Sequence, residues 1–165
     1  MGRVSVLWLM ALSATRSMLR LLITTAQRFL LLRIHGGDII FGNRGDDLLD
    51  GCTGNDTWRG GKGNDTIIGG EGDDFLFGED GDDSLIGGNG SDRFLLSTNS
   101  GIDTILDFED GKDLLTLANN LTFSQLSITQ ENSSSLIRLS ATSEILASLN
   151  GVSASLINVA DFNLA

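Results

Sequence analysis

Six aspartates recur at intervals of nine residues in the middle of this 165-residue chain. They are Asp47, Asp56, Asp65, Asp74, Asp83 and Asp92. Each aspartate follows a glycine by two residues and precedes a large apolar residue by two. Regularly spaced carboxylates suit a hard cation, since calcium takes about six to eight oxygen ligands. Magnesium fits less well, because it demands a tight octahedron and retains its waters.

The aspartates belong to six consecutive nine-residue units that span residues 42–95. We number the places in each unit 1 to 9. Places 1 and 4 are always glycine, place 6 is always aspartate, and place 8 is always large and apolar. The place-8 residues are Leu49, Trp58, Ile67, Leu76, Leu85 and Phe94. A fixed period with invariant places predicts a stacked repeat architecture in which each unit contacts its neighbours.

The places within a unit predict the elements that position the carboxylates. Places 7 to 9 suit a short strand with place 8 facing inward, and the glycines suit turns that need positive φ. Two units then make one coil of a flattened parallel helix, so the predicted fold is all-β. One buried side chain per unit is a thin core. Residues 42–95 also carry 13 acidic and 4 basic residues, so we expect bound cations to stabilise the turns.

The pattern resembles the calcium-binding nonapeptide G-G-x-G-x-D-x-U-x of the RTX, or haemolysin-type, repeat family. The resemblance implies a calcium-bound parallel β-roll, or β-solenoid, in which each ion lies between units two apart. Pairing unit 1 with 3, 2 with 4, 3 with 5 and 4 with 6 gives roughly four Ca²⁺ ions. The implied ligands are the place-6 aspartates and the place-1 glycines. These glycines are Gly42, Gly51, Gly60, Gly69, Gly78 and Gly87.

Places 2 and 5 are less uniform than the other turn places. Place 2 holds Asn43, Cys52 and Glu79 where glycine is usual. If this place needs positive φ, Cys52 and Glu79 each cost about 1 kcal/mol, and the sites that touch their turns should be weaker. The place-5 side chains could offer oxygen to an ion or only tolerate the turn, and we expect the latter. They are Asp46, Asn55, Asn64, Asp73, Asp82 and Ser91.

Residues 1–35 form a basic, apolar leader without repeat character. Residues 1–37 contain five arginines and no acid, whereas 22 acids and six bases follow. The arginines leave no apolar run long enough for a transmembrane helix. A signal peptide cut near Ser13 and a basic amphipathic helix in contact with a membrane both stay open. We favour a truncated or frame-shifted segment, helical or disordered, because the repeat phase begins in mid-unit at Gly36.

Residues 36–95 are therefore assigned to the roll and residues 96–165 to a β-rich cap. Residues 101–108 and 111–115 resemble the segment that closes RTX arrays, which should cover the strand edges of the last coil. The polar and β-branched composition predicts further short strands at residues 136–139 and 144–149, with a helical turn near residues 124–126.

Several classes of function lack their residues in this sequence. The single histidine, His35, excludes a HExxH zinc site, and there is neither a G-x-S-x-G elbow nor a Walker loop. The net charge of −11 disfavours nucleic acid as a partner. We therefore expect a calcium-binding protein rather than an enzyme.

The resemblance also implies a route and a location. Such arrays pass a type I secretion machinery unfolded and fold outside the cell, where calcium is abundant. Residues 161–165 are similar to the acidic-then-apolar ending of such secretion signals. Two alternatives stay open: the C-terminal remnant of a secreted RTX enzyme such as a protease or lipase, and a surface or adhesion module.

Overall fold

The computed structural model describes residues 20–22 and 30–164. These residues form fifteen strands and two short 3-10 turns. They include no helix that is long and apolar enough to cross a membrane. The strands are β1 (Arg20–Leu22), β2 (Leu30–His35), β3 (Ile39–Arg44), β4 (Leu48–Thr53), β5 (Thr57–Lys62), β6 (Thr66–Glu71), β7 (Phe75–Asp80), β8 (Ser84–Asn89), β9 (Arg93–Leu96), β10 (Asp103–Ile105), β11 (Leu114–Leu117), β12 (Leu126–Glu131), β13 (Ser134–Leu139), β14 (Ile145–Asn150) and β15 (Phe162–Leu164).

Successive strands of the array alternate between two parallel sheets. One sheet has the order β1-β3-β5-β7-β9-β11-β15, and the other runs β2-β4-β6-β8-β10-β14-β13-β12. On the first sheet Ile40 pairs with Trp58, which pairs with Leu76. Each step along a sheet within the array is thus 18 residues, or two units. This register confirms the predicted β-roll, in which two units make one coil.

The core of the roll is a stack of place-8 side chains. All six are at most 1% exposed. The strands of the array are longer than predicted, since β3 to β8 each cover places 7–9 of one unit and places 1–3 of the next. Places 8 and 1 both face inward, and the backbone ladder continues through pairs such as Asn43 with Gly61. Glycine at place 1 lets the strand continue because it adds no side chain to the interior.

Two strands lie in the segment predicted to be helical or disordered. β1 pairs in parallel with β3, and β2 pairs in parallel with β4. The prediction is wrong for these two strands, because the edges of β3 and β4 offer unpaired backbone groups that an extended chain can satisfy. The possible cleavage site near Ser13 and the other remaining residues of the leader lie outside the described residues.

The cap continues both sheets beyond the array. β10 pairs in parallel with β8 and then with β14, while β11 pairs with β9 and then with β15. β12, β13 and β14 pair antiparallel and complete the second sheet. The predicted strands at 136–139 and 144–149 correspond to β13 and β14, and the predicted helical turn is the 3-10 turn Phe123–Gln125. The cap core, which includes Ile105 and Leu115, extends the place-8 stack.

Candidate metal centre

The place-6 aspartates are stacked in two columns, one on each side of the roll. Each backbone N–H at place 6 donates to the Oδ1 atom of the aspartate one coil later, at 2.7 Å from Asp47 to Asp65 and 2.9 Å from Asp74 to Asp92. These hydrogen bonds form a ladder along each column. The backbone N–H of Asp38 extends the ladder to the coil before the array by donating to Asp56 Oδ1 at 2.8 Å. One oxygen of each carboxylate therefore holds the next turn in register, and the incomplete unit before residue 42 takes part in the stack.

The second oxygen of the place-6 carboxylates has a different environment. Five of these Oδ2 atoms are buried and have no hydrogen-bond partner among the described residues. They belong to Asp47, Asp65, Asp74, Asp83 and Asp92. A buried carboxylate oxygen without a donor is costly, so such atoms are suited to coordinate a cation.

Five of the six place-1 glycines lie directly beside these unpaired oxygens; Gly51 instead lies against Trp58 and the carbonyl oxygen of Gly69. A Cβ atom on Gly60 would lie 2.7 Å from the carbonyl oxygen of Gly78 and in contact with Asp65 Oδ2. A Cβ atom on Gly69 would likewise lie 2.6 Å from the carbonyl oxygen of Gly87 and in contact with Asp74 Oδ2. A carboxylate oxygen and a carbonyl oxygen from adjacent coils thus converge on a cradle that any side chain would fill.

Burial makes these carboxyl groups hard to ionise. It raises the pKa of Asp65 and of Asp74 to about 7, and the pKa of Asp56 and of Asp92 to about 6. The hydrogen bond from a backbone N–H offsets part of each rise, and neighbouring carboxylates add to it. A cation bound at the Oδ2 atoms would favour the charged form and remove this penalty.

Backbone carbonyl oxygens stand beside the carboxylate oxygens in these cradles, as at Gly60 and Gly69. No group of three or more histidine, cysteine, aspartate or glutamate side chains converges in the described part of the chain. Oxygen-only coordination by carboxylates and carbonyls is typical of calcium, which tolerates flexible geometry.

The place-5 side chains form a second ladder that the sequence analysis did not predict. Their side-chain oxygens accept backbone N–H groups from the following coil, as in the bonds from Asp73 to Asn55 at 3.0 Å and from Asp82 to Asn64 at 3.1 Å. The acceptors are Asp46, Asn55, Asn64, Asp73 and Asp82. The signal was visible in the sequence, because every place-5 side chain is short and carries an acceptor oxygen.

The chain matches a known repeat family across the array. Residues 36–67 and 59–94 match the RTX calcium-binding nonapeptide repeat (4 copies). The array is an RTX calcium-binding repeat. The match confirms the repeat family expected from the sequence, and the two-sheet roll confirms the expected fold. The array is accordingly a calcium-binding module. No curated protein matches this sequence.

Two solved structures are similar to this chain. The AlgE6R3 subunit of the Azotobacter vinelandii mannuronan C5-epimerase is 23% identical, with a TM-score of 0.46 over 78% of this chain and 73% of that one. The extracellular lipase LipA from Serratia marcescens is 18% identical, with a TM-score of 0.40 over 87% of this chain. This chain covers 41% of the lipase.

Proposed function

We propose that the RTX array binds roughly four calcium ions through the place-6 aspartates and the place-1 glycine carbonyls. The observation that carries this proposal is the set of five buried Oδ2 atoms that have no partner among the described residues, each beside a place-1 glycine. The ligands are the twelve residues named for this role from the sequence. Each ion would join two adjacent coils on the same side of the roll.

We further propose that calcium drives the folding of the array. Each unit buries one place-8 side chain, which is a small gain against the entropy of ordering nine residues. Residues 42–95 carry 13 acidic and 4 basic residues, so their mutual repulsion opposes the compact state until cations neutralise it. The roll should therefore be stable when its sites are filled and unstable when calcium is removed.

An extracellular location follows from this dependence on calcium. Extracellular calcium modules bind the ion at about 10⁻⁴–10⁻³ M, well above the range of cytosolic calcium sensors. A chain that folds in this range would stay unfolded in the cytosol and fold after export. We propose export by a type I secretion machinery, in keeping with the RTX repeats and the sequence of residues 161–165.

Circular dichroism of the full chain during a calcium titration tests the proposed function. In excess EGTA the spectrum should be that of a largely unfolded chain, and it should gain strand signal cooperatively as free calcium reaches the millimolar range. Magnesium at the same concentration is the control and should have little effect. A full strand spectrum in EGTA would contradict calcium-driven folding.

A further inference from the structure

The second sheet carries a seventh turn of repeat type beyond the six units. Paired residues of neighbouring strands in the array are 18 residues apart in sequence. Thr104 of β10 pairs with Ser84 of β8, which lies 20 residues earlier in the sequence. After this two-residue insertion, residues 101–105 occupy places 4 to 8. Gly101 has a φ of +118° and lies against the carbonyl oxygen of Gly81. Ile105 is fully buried, as a place-8 residue is.

Asp103 occupies place 6 of this seventh turn. Its carboxyl group accepts the backbone N–H of Asp83, which continues the ladder of the array. The residue is 4% exposed, and its Oδ1 atom is buried without a hydrogen-bond donor among the described residues. Asp103 thus has the same arrangement of one bonded and one unpaired oxygen that marks the place-6 aspartates.

The two unpaired oxygens of Asp83 and Asp103 converge on one glycine. A Cβ atom on Gly78 would contact Asp83 Oδ2 and would lie 2.9 Å from Asp103 Oδ1. The cradle at Gly78 therefore presents carboxylate oxygens from two adjacent coils.

The first sheet ends differently. Asp113 occupies the matching position before β11, but both of its carboxylate oxygens accept backbone N–H groups, from Asp92 at 3.0 Å and from Glu109 at 2.9 Å. The nearest atoms to a Cβ on Gly87 all belong to Asp92. Both carboxylate oxygens of Asp113 thus already accept a hydrogen bond, whereas Asp103 Oδ1 accepts none among the described residues.

We propose that Asp83 and Asp103 bind a further calcium ion at the junction between the array and the cap. The proposal rests on the proposed function and adds a site that the nonapeptide pattern omits. Two adjacent buried carboxylates repel each other unless a cation lies between them. Two carboxylates from adjacent coils are the charged ligands of this site, as we propose for the sites inside the array. The ion joins β8 to β10 and so fixes the cap on the last coil.

Counting calcium ions on the full chain tests the inference. Titration calorimetry with calcium chloride and native mass spectrometry should show one ion fewer on Asp103→Asn than on the parent chain. Asp113→Asn removes the matching charge on the first sheet and should retain the parent count. Equal counts for Asp103→Asn and the parent would overturn the inference alone. A parent chain that binds no calcium would overturn the proposed function as well.

A second variant covers the case in which Asp103→Asn gains no strand signal at saturating calcium. Asp103→Glu keeps the charge but lengthens the side chain in a cradle with little space. It should fold and bind the parent number of ions, one of them more weakly than in the parent chain. An Asp103→Glu variant with the calcium affinity of the parent chain would overturn the inference, because the ion would then not contact this side chain.

Discussion

Place 2 of the repeat shows how a single residue can conflict with the turn that contains it. The φ angle at this place is positive in every unit, at +78° for Asn43, +86° for Cys52 and +71° for Glu79. The expected requirement for positive φ is therefore confirmed. Glycine adopts this conformation freely and asparagine tolerates it, but cysteine and glutamate are strained there.

Replacing Cys52 by glycine should relieve this strain. Cys52→Gly is expected to raise the free energy of unfolding of the calcium-loaded protein by about 0.5–1 kcal/mol. Asn43→Gly is the control and should gain less, because asparagine already suits the left-handed region. Urea unfolding at saturating calcium measures both values. Equal gains for the two variants would show that side-chain strain at place 2 is unimportant.

The place-6 aspartates should differ in importance according to their position in the stack. Asp74 accepts the N–H of Asp56 and donates its own N–H to Asp92, so it connects three coils. Asp74→Ala should therefore reduce the number of bound calcium ions and the cooperativity of folding more than Asp47→Ala, at the first complete unit. Calcium titrations followed by circular dichroism give both quantities. Losses of the same size would mean that position in the stack has no effect.

At the scale of the strand and turn, two side-chain ladders run in opposite directions. Place-6 carboxylates accept N–H groups from the preceding coil, whereas place-5 side chains accept them from the following coil. The place-6 ladder is buried and borders the cation cradles, but the place-5 ladder is solvent-exposed. The exposed ladder should therefore stabilise the turns without contributing to calcium binding.

Removing one acceptor from the exposed ladder tests this division. Asn64→Ala leaves the N–H of Asp82 without its acceptor at 3.1 Å and should lower the free energy of unfolding by about 0.5–1.5 kcal/mol. The number of bound calcium ions should stay the same. Ser91→Ala is a matched control, since the Ser91 side chain accepts no N–H among the described residues. A lower ion count for Asn64→Ala would place this side chain at the cation site instead.

The elements of the array could be predicted from the sequence because its period is unbroken. The apolar residue at place 8 and the aspartate at place 6 recur every nine residues, which fixes the strand, the turn and the register together. The role of Asp103 could not be derived in this way, because two extra residues shift β10 out of phase. The strands in the leader were missed for another reason: their pairing depends on the open edges of β3 and β4, not on a local pattern.

At the scale of the whole molecule, proton binding and calcium binding compete for the same carboxylates. The net charge is −11, and the buried carboxyl groups include Asp65 and Asp74, whose pKa burial raises to about 7. In the unfolded chain the pKa of an aspartate is about 3.9. The calcium-free folded state therefore binds more protons than the unfolded state between these values. The stability that these carboxyl groups contribute is fully present below about pH 4 and is lost as the pH rises through their folded-state pKa values of about 6 to 7.

Mild acid should consequently substitute in part for calcium. In EGTA, the strand signal should be larger at pH 5.5 than at pH 8. The calcium concentration that fills half of the sites should be higher at pH 5.5 than at pH 8. Circular dichroism and calorimetry over this range measure the two effects. Asp74→Asn should weaken the pH dependence of the strand signal, since an asparagine side chain does not titrate. A calcium-free strand signal that increases with pH would contradict the burial of these carboxylates.

The in-register stacking of the strands makes the repeat number a measure of length. Neighbouring strands of a sheet lie about 4.8 Å apart, so each added pair of units would extend the roll by that distance and leave its two faces unchanged. A single added unit would instead transfer every later strand to the opposite sheet and rotate the cap by half a turn. Natural variation in the length of this roll is therefore expected to proceed in steps of two units.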